Sequence, residues 1–504
     1  MLTLADPLRH AEDCSADAIA IVDGDSRFTF GQLVGRCRRV AAAVRRDTQP
    51  GDRVALLATN GHRALELILS TPAAGRVVVP LNGRLAIPEL AYQLRDAEPQ
   101  LLVTDWSQDR VRELANLAGR VLSMDDYEAW LGSEEDAGLG DGVSQDDVAG
   151  LFYTGGTTGA AKGVMLTHGN KLADALHVLA ALHLVPEDAW VVLGPMYHAS
   201  GTWQAEPCLW TGARQILIPA YEPALVLDLI EREGVTVAFG VPAMLDTLTR
   251  EQARSPRDVS SLRLMGYGAA PASTAILRRF HESFPRCELV SMYGATELAP
   301  LGTVLHHMED RLDTPKVRSA GPAAAGVRLR VTDREGRDVS VGTVGEVCVR
   351  GPNVMKGYWR KPEETARALR DGWYHSGDLG RFDDDHCLYL VDRAKDMIIS
   401  GGENVYSTEV EEVLSQHPDV VECAVFGVPD ERWGEAVRAI VVLREGAEVD
   451  AEALGQHCRG GLGGYKVPKQ IEVSSEPLPR SAAGKILKRE LRAPFWVGHD
   501  EAIS

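Results

Sequence analysis

From Arg53 the chain alternates short apolar runs with amphipathic stretches: residues 54–57, 77–79 and 101–103 predict strands, and 64–69 carries helical spacing. That strand–helix–strand rhythm predicts a parallel sheet covered by helices. It resumes after Lys162, with strands expected at 190–193, 235–239, 262–264 and 289–292. From Val327 the period changes to two, over 327–331 and 346–350 with a polar turn at Glu335-Gly336 between them, which predicts antiparallel strands. Farther on, Val410, Val413 and Leu414 have helical spacing, and 420–428, 436–443 and 471–473 read as strands of a compact α+β domain. Residues 131–148 are polar and glycine-rich and predict an exposed connector. The fold class is therefore α/β: a large N-terminal domain of βαβ-type sheets followed by a small α+β C-terminal domain.

The stretch Tyr153-Thr154-Gly155-Gly156-Thr157-Thr158-Gly159-Ala160-Ala161-Lys162-Gly163 follows an apolar run and reads as a strand entering a donor-rich loop. Such a loop suits phosphate. Glycines bring backbone N–H groups close to an anion, threonine hydroxyls add donors, and Lys162 supplies a charge. It is not a P-loop, because Lys162 follows Ala161 and precedes Gly163. Taken alone, an ordinary Gly/Thr surface loop explains it equally well.

Composition narrows the function classes. At 504 residues the chain exceeds one ordinary domain, and its 45% apolar and 25% charged content is that of a globular protein. A net charge of -19 argues against nucleic acid, whose binding relies on Lys/Arg clusters. The eight cysteines are scattered without a CxxC pair, as expected in a reducing compartment. No apolar run approaches a membrane span and no leader pattern opens the chain, so a cytoplasmic protein without an integral membrane segment is expected.

Several further motifs each admit a bland reading. Tyr197-His198 follows a strand-like run into a turn, where a lone histidine is commonly structural. Tyr293-Gly294-Ala295-Thr296-Glu297 could be a strand, a turn and a helix cap. Gly266-Tyr267-Gly268-Ala269-Ala270-Pro271 offers small residues at a strand end, and Asp392-Arg393-Ala394-Lys395-Asp396 is a charged turn.

Together these strings resemble the adenylate-forming superfamily of acyl-CoA synthetases, peptide-synthetase adenylation domains and firefly luciferase. Gly155 stands where those loops usually have Ser, and Ala161 where they have Pro; backbone donors and Lys162 are retained. The resemblance implies an ATP site built from Thr154, Gly155, Gly156, Thr157, Thr158, Gly159 and Lys162 on the phosphates. Gly268, Ala269, Ala270, Tyr293 and Gly294 would surround adenine, and Asp378 and Arg393 the ribose. It further implies Thr296 on the α-phosphate, Glu297 as the Mg²⁺ ligand and Lys485 as the catalytic cation. Gly401 and Gly402 would line a coenzyme A tunnel, and the acyl pocket would comprise Tyr197, His198, Trp203, Gly268 and Gly294, with His198 as its gate.

By the same resemblance the alternating region is a small β-barrel, the domains are 1–392 and 393–504, and the smaller one is mobile about a hinge at Lys395. The implied activity is an acyl-CoA ligase: a carboxylic acid, ATP and Mg²⁺ give acyl-AMP and pyrophosphate, then coenzyme A takes the acyl group. A homodimer is the assembly considered. The pocket candidates carry no basic residue, which favours a fatty or aryl monocarboxylate over a dicarboxylate. An amino-acid adenylation domain would have an aspartate after His198, and residues 199–205 have no acid. A carrier-loading acyl-AMP ligase would carry an extra insertion, and a silent nucleotide-binding relative would have lost Lys485, Glu297 or Asp378.

Overall fold

The computed structural model describes residues 2–132, 138–154, 161–270, 272–307, 314–394, 396–401, 403–430, 432–480 and 486–497. Contacts divide the chain into one unit of residues 1–328 with 349–374 and a second of 329–348 with 375–504. The domain boundary expected at 392/393 falls inside the second unit. Strands Trp373–Phe382 and Leu388–Arg393 are joined antiparallel there, with Asp378 opposite Arg393.

The first unit holds two large sheets. One has seven strands, in the order Gly357–Tyr358, Lys162–Thr167, Val148–Thr154, Val77–Pro80, Arg53–Leu57, Leu101–Thr104 and Arg120–Ser123. Its members from Val148–Thr154 outward are mutually parallel, as the rhythm predicts, while Lys162–Thr167 returns antiparallel. The other has eight strands, with Ala189–Val192, Val237–Gly240, Leu264–Gly268 and Glu288–Gly294 forming a parallel block. Here the strand expected at 262–264 is Leu264–Gly268; the Arg263 backbone already bonds to both neighbouring strands, and its guanidinium lies 2.7 Å from Asp188.

Between the strands, helix His62–Ala73 is buried from Ala64 to Ala73, so its apolar face wraps nearly all the way round. Glu66 is 1% exposed there and is held by Arg36 at 2.6 Å and by the Tyr127 hydroxyl, which donates at 2.9 Å. Arg36 also reaches Glu128 at 2.8 Å, from a helix, Phe30–Asp47, that starts on a Thr29/Gln32 capping box. Most described residues of the connector are exposed, as its composition predicts, with one docked point. Leu139 is buried, and the Gly140 N–H donates to the Ala73 carbonyl at 2.7 Å.

In the second unit the period-two stretches form strands Arg328–Thr332 and Gly345–Arg350. The C-terminal strands Val420–Asp430 and Gly434–Leu443 pair antiparallel, and Gln470–Ser474 adds in parallel. Helix Ser407–Ser415 packs Val410 and Leu414 into their core. Among the described residues no helix is long and apolar enough to cross a membrane.

Replacing Arg36 with Met leaves the Glu66 carboxylate buried without its cation. The expected loss is about 3 kcal/mol of unfolding free energy, read by urea titration, with little change if Glu66 is replaced by Gln at the same time.

Candidate active site

In the eight-stranded sheet the parallel block points its carboxyl ends one way, and motifs singled out from the sequence follow those ends. Residues 194–201 follow Ala189–Val192; Gly268, Ala269 and Ala270 close or follow Leu264–Gly268; Tyr293 and Gly294 end Glu288–Gly294. Ligands of open α/β sheets bind at this edge. The two glycines are required by close packing. A Cβ on Gly268 would lie 2.2 Å from the Met292 carbonyl oxygen, and one on Gly294 would lie 1.7 Å from that of Pro300. Ala269 next to them is exposed and takes a left-handed conformation at φ 66°. Thr296 and Glu297 follow in a single tight turn, Thr296–Leu298, and both are half-buried.

The glycine- and threonine-rich stretch joins two strands of the seven-stranded sheet, with half-buried Thr154 directly opposite Lys162. Gly155, Gly156, Thr157, Thr158 and Gly159 lie outside the described residues. The Lys162 ammonium sits 2.6 Å from a Glu364 oxygen and 4.9 Å from the centre of the Tyr358 ring. The Tyr358 hydroxyl in turn donates to Glu297 at 2.9 Å, and the Met355 N–H donates to the Glu297 carbonyl at 2.8 Å. Burial pushes the Tyr358 phenol well above its ordinary pKa, so it remains a neutral donor. Tyr358 and Glu364 had no role assigned from the sequence. No local pattern marks them, because strand Gly357–Tyr358 reaches Lys162–Thr167 only through tertiary pairing.

In the turn after Ala189–Val192, the Tyr197 and His198 rings lie 4.6 Å apart. The Tyr197 hydroxyl and His198 Nε2 are buried without a hydrogen-bond partner. Burial, helped by the charge of Arg84, pushes the His198 imidazole down to about 4, so it is neutral at physiological pH. Arg84 is thus a basic group acting on a pocket whose own candidates carry none. Trp203 is buried edge-on against Phe239 at 4.9 Å and Trp190 at 5.9 Å, forming an aromatic wall beside the sheet.

Within the second unit Asp378 and Arg393 face each other, and Arg393 Nε lies 3.1 Å from the Asp378 carboxylate. Gly401 has φ 62°, and a Cβ there would meet the Trp433 indole at 2.8 Å. Lys395, Gly402 and Lys485 lie outside the described residues; the chain on either side of the Lys485 segment closes through an Arg480/Ile486 bridge. Glu346, Cys348 and His375 bring ligand-type atoms within 4.8 Å of one another, but His375 Nδ1 is already hydrogen-bonded to Glu346 at 2.8 Å.

The sequence pattern of the family described as "AMP-binding enzyme" matches residues 8–359, well over half of the chain. The chain belongs to the AMP-binding enzyme family. A second pattern, "AMP-binding enzyme C-terminal domain", matches residues 409–485. Among characterised relatives of this AMP-binding enzyme is a feruloyl-CoA synthase of an Amycolatopsis species, 41% identical over 493 residues, covering 97% of this chain and 98% of its own. Among solved structures, ATP-bound MatB from Rhodopseudomonas palustris superposes with a TM-score of 0.90 at 33% identity, covering 98% of this chain and 99% of that one. The o-succinylbenzoate CoA synthetase MenE from Bacillus subtilis, in complex with the acyl-adenylate intermediate OSB-AMP, gives 0.87 at 30% identity, covering 96% and 97%.

The site of this AMP-binding enzyme can take a hard cation. Glu297 offers hard carboxylate oxygens, one of which accepts from the Tyr358 hydroxyl, and substrate phosphates would supply further oxygen ligands.

Gly294→Ala places a methyl group inside the Pro300 carbonyl. The expected outcome is a stability loss of about 2 kcal/mol together with lost ATP affinity, checked by thermal unfolding and calorimetry. For His198 the folded state declines a proton that the unfolded chain accepts near 6.5. Stability is therefore full above that pH and falls as pH drops from 6.5 toward 4. His198→Phe is expected to flatten that part of the stability–pH curve in urea titrations.

Proposed function

We propose that this AMP-binding enzyme is an aromatic-acid–coenzyme A ligase that makes an acyl-adenylate from ATP and a monocarboxylic acid. The observation that carries the reading is Tyr358, whose ring lies against Lys162 of the phosphate hairpin while its hydroxyl donates to Glu297 at the other sheet. One residue thus joins a phosphate cation to a metal carboxylate. The feruloyl name of the 41% identical relative supports an aromatic acid, and the wall of Trp203, Phe239 and Trp190 is chemically suited to one.

A carboxylate is a poor electrophile, so it needs a better leaving group before a thiol can attack. Its oxygen attacks the α-phosphorus, the bond to the β-phosphate bridge breaks, and pyrophosphate leaves. The coenzyme A thiol, losing its proton, then attacks the acyl carbon and AMP departs with the bonding pair. Such transfers depend on positioning and charge neutralisation more than on covalent help from the protein. In this reading Lys162 and Thr154 hold the departing phosphates, Thr296 and Lys485 meet the α-phosphate, and Gly268, Ala269, Ala270, Tyr293 and Gly294 enclose adenine. Asp378 and Arg393 hold ribose, and neutral His198 screens the acyl carbonyl from water. Mg²⁺ on Glu297, when bound, would neutralise phosphate charge. The division into 1–392 and 393–504 with a pivot at Lys395 belongs to the same proposal, as does a path for coenzyme A along Gly401 and Gly402. A cytoplasmic homodimer completes it, and light scattering checks the assembly.

The deciding experiment is pyrophosphate release across ferulate, cinnamate, benzoate, dodecanoate, malonate and amino acids, with and without coenzyme A. Release with aromatic acids and a matching aryl-CoA product is expected. A preference for dodecanoate or malonate would overturn the substrate assignment, and adenylate accumulating without thioester would overturn coenzyme A as acceptor. Lys485→Ala is expected to lower adenylate formation by at least ~10²-fold. Thioester formation from supplied acyl-adenylate should be largely spared, and equal loss in both steps would refute the division of labour.

A further inference from the structure

Glu364 was unmarked in the sequence, yet it holds the best-defined contact of the phosphate-loop lysine. It sits in the first turn of the short helix Pro362–Ala368. That helix is tied to the strand carrying Tyr358: the Tyr358 N–H donates to the Thr365 hydroxyl oxygen at 2.9 Å, and Gly357 packs so closely that a Cβ would lie 2.6 Å from Thr365. These contacts fix the helix that carries Glu364, whose carboxylate lies 2.6 Å from Lys162. Both side chains keep access to solvent, at 24% for Lys162 and 32% for Glu364. The hydrogen bond from Lys162 holds the Glu364 carboxyl below its ordinary range, so it is an anion at neutral pH.

We infer that Glu364 is a positioning residue that competes with the phosphates of ATP for Lys162. The inference rests on the reading of Lys162 as a phosphate ligand. In the nucleotide-free enzyme Glu364 neutralises the ammonium and fixes its direction against the Tyr358 ring. Incoming phosphate must take donors from this carboxylate while being repelled by it. Because the pair is partly exposed, the competition is modest, and ATP with its larger charge wins. The arrangement holds Lys162 ordered before substrate arrives and returns it when pyrophosphate leaves.

The test is calorimetric binding of ATP with Mg²⁺, without acid or coenzyme A, to the full chain and to Glu364→Gln, Glu364→Ala, Lys162→Met and the Lys162→Met/Glu364→Gln double variant. Glu364→Gln is expected to lower the ATP dissociation constant about fivefold, equivalent to about 1 kcal/mol. Glu364→Ala should move it in the same direction, and Lys162→Met should weaken binding. In the double variant the Glu364→Gln gain should largely vanish, since the competition needs Lys162. In turnover, the gain should appear in the KM for ATP. If Lys162→Met weakens ATP but both Glu364 variants bind it as the parent does, or more weakly, Glu364 is not a competitor and the inference fails. If Lys162→Met binds ATP as the parent does, the phosphate-loop reading itself fails.

Discussion

The carbonyl oxygens of Met292 and Pro300 occupy the space that side chains at 268 and 294 would need. Strands Leu264–Gly268 and Glu288–Gly294 therefore end with bare backbone against bare backbone, and no larger residue can stand between them. Such an edge is flat and supplies N–H and C=O groups directly, which suits a planar heterocycle. The same packing fixes where the next residues emerge. Tyr293 ends the second strand, and Thr296 and Glu297 follow within one tight turn. The geometry of this edge is thus set by the tolerance of two positions for a hydrogen atom alone.

Charge is arranged around this edge through intermediaries. Tyr358 lies between Lys162 and Glu297, touching the first with its ring and the second with its hydroxyl. A phenol can do both because its face is electron-rich and its O–H is a donor. In the second unit a largely buried cluster does comparable work. Lys488 bonds Glu411 at 2.8 Å and the Ser407 hydroxyl at 2.6 Å, while the Ser407 N–H donates to Asp392 at 2.6 Å. Burial raises both carboxyls and the lysine partly offsets it. Asp392 precedes Arg393 and Lys488 follows the Lys485 segment, so this cluster ties the two stretches to one core.

Much of the fold was legible because it is written in periodicity. Strands Arg53–Leu57, Val77–Pro80 and Leu101–Thr104 and helix His62–Ala73 fall where apolar spacing put them, since burial on a sheet or helix face acts on neighbouring residues. Single contacts inside such stretches are not legible in the same way. Leu139 is buried where the Gly140 N–H meets the end of helix His62–Ala73, and the Arg263 side chain reaches Asp188; both are long-range partners that local composition does not encode.

By itself the sequence determined the alternating architecture, the family and the stretches whose chemistry is proposed to serve the nucleotide. Those properties belong to contiguous stretches, where glycine spacing, apolar period and side-chain chemistry are local. Only the tertiary structure decided which groups meet. The pairing of Tyr358 with Glu297 across 61 residues, the seizure of Lys162 by Glu364, and the burial of Tyr197 and His198 polar atoms without partners all depend on how strands are brought together. Hydrogen bonds and ion pairs act over a few ångströms of space, and a chain places residues at that distance only after its sheets have closed.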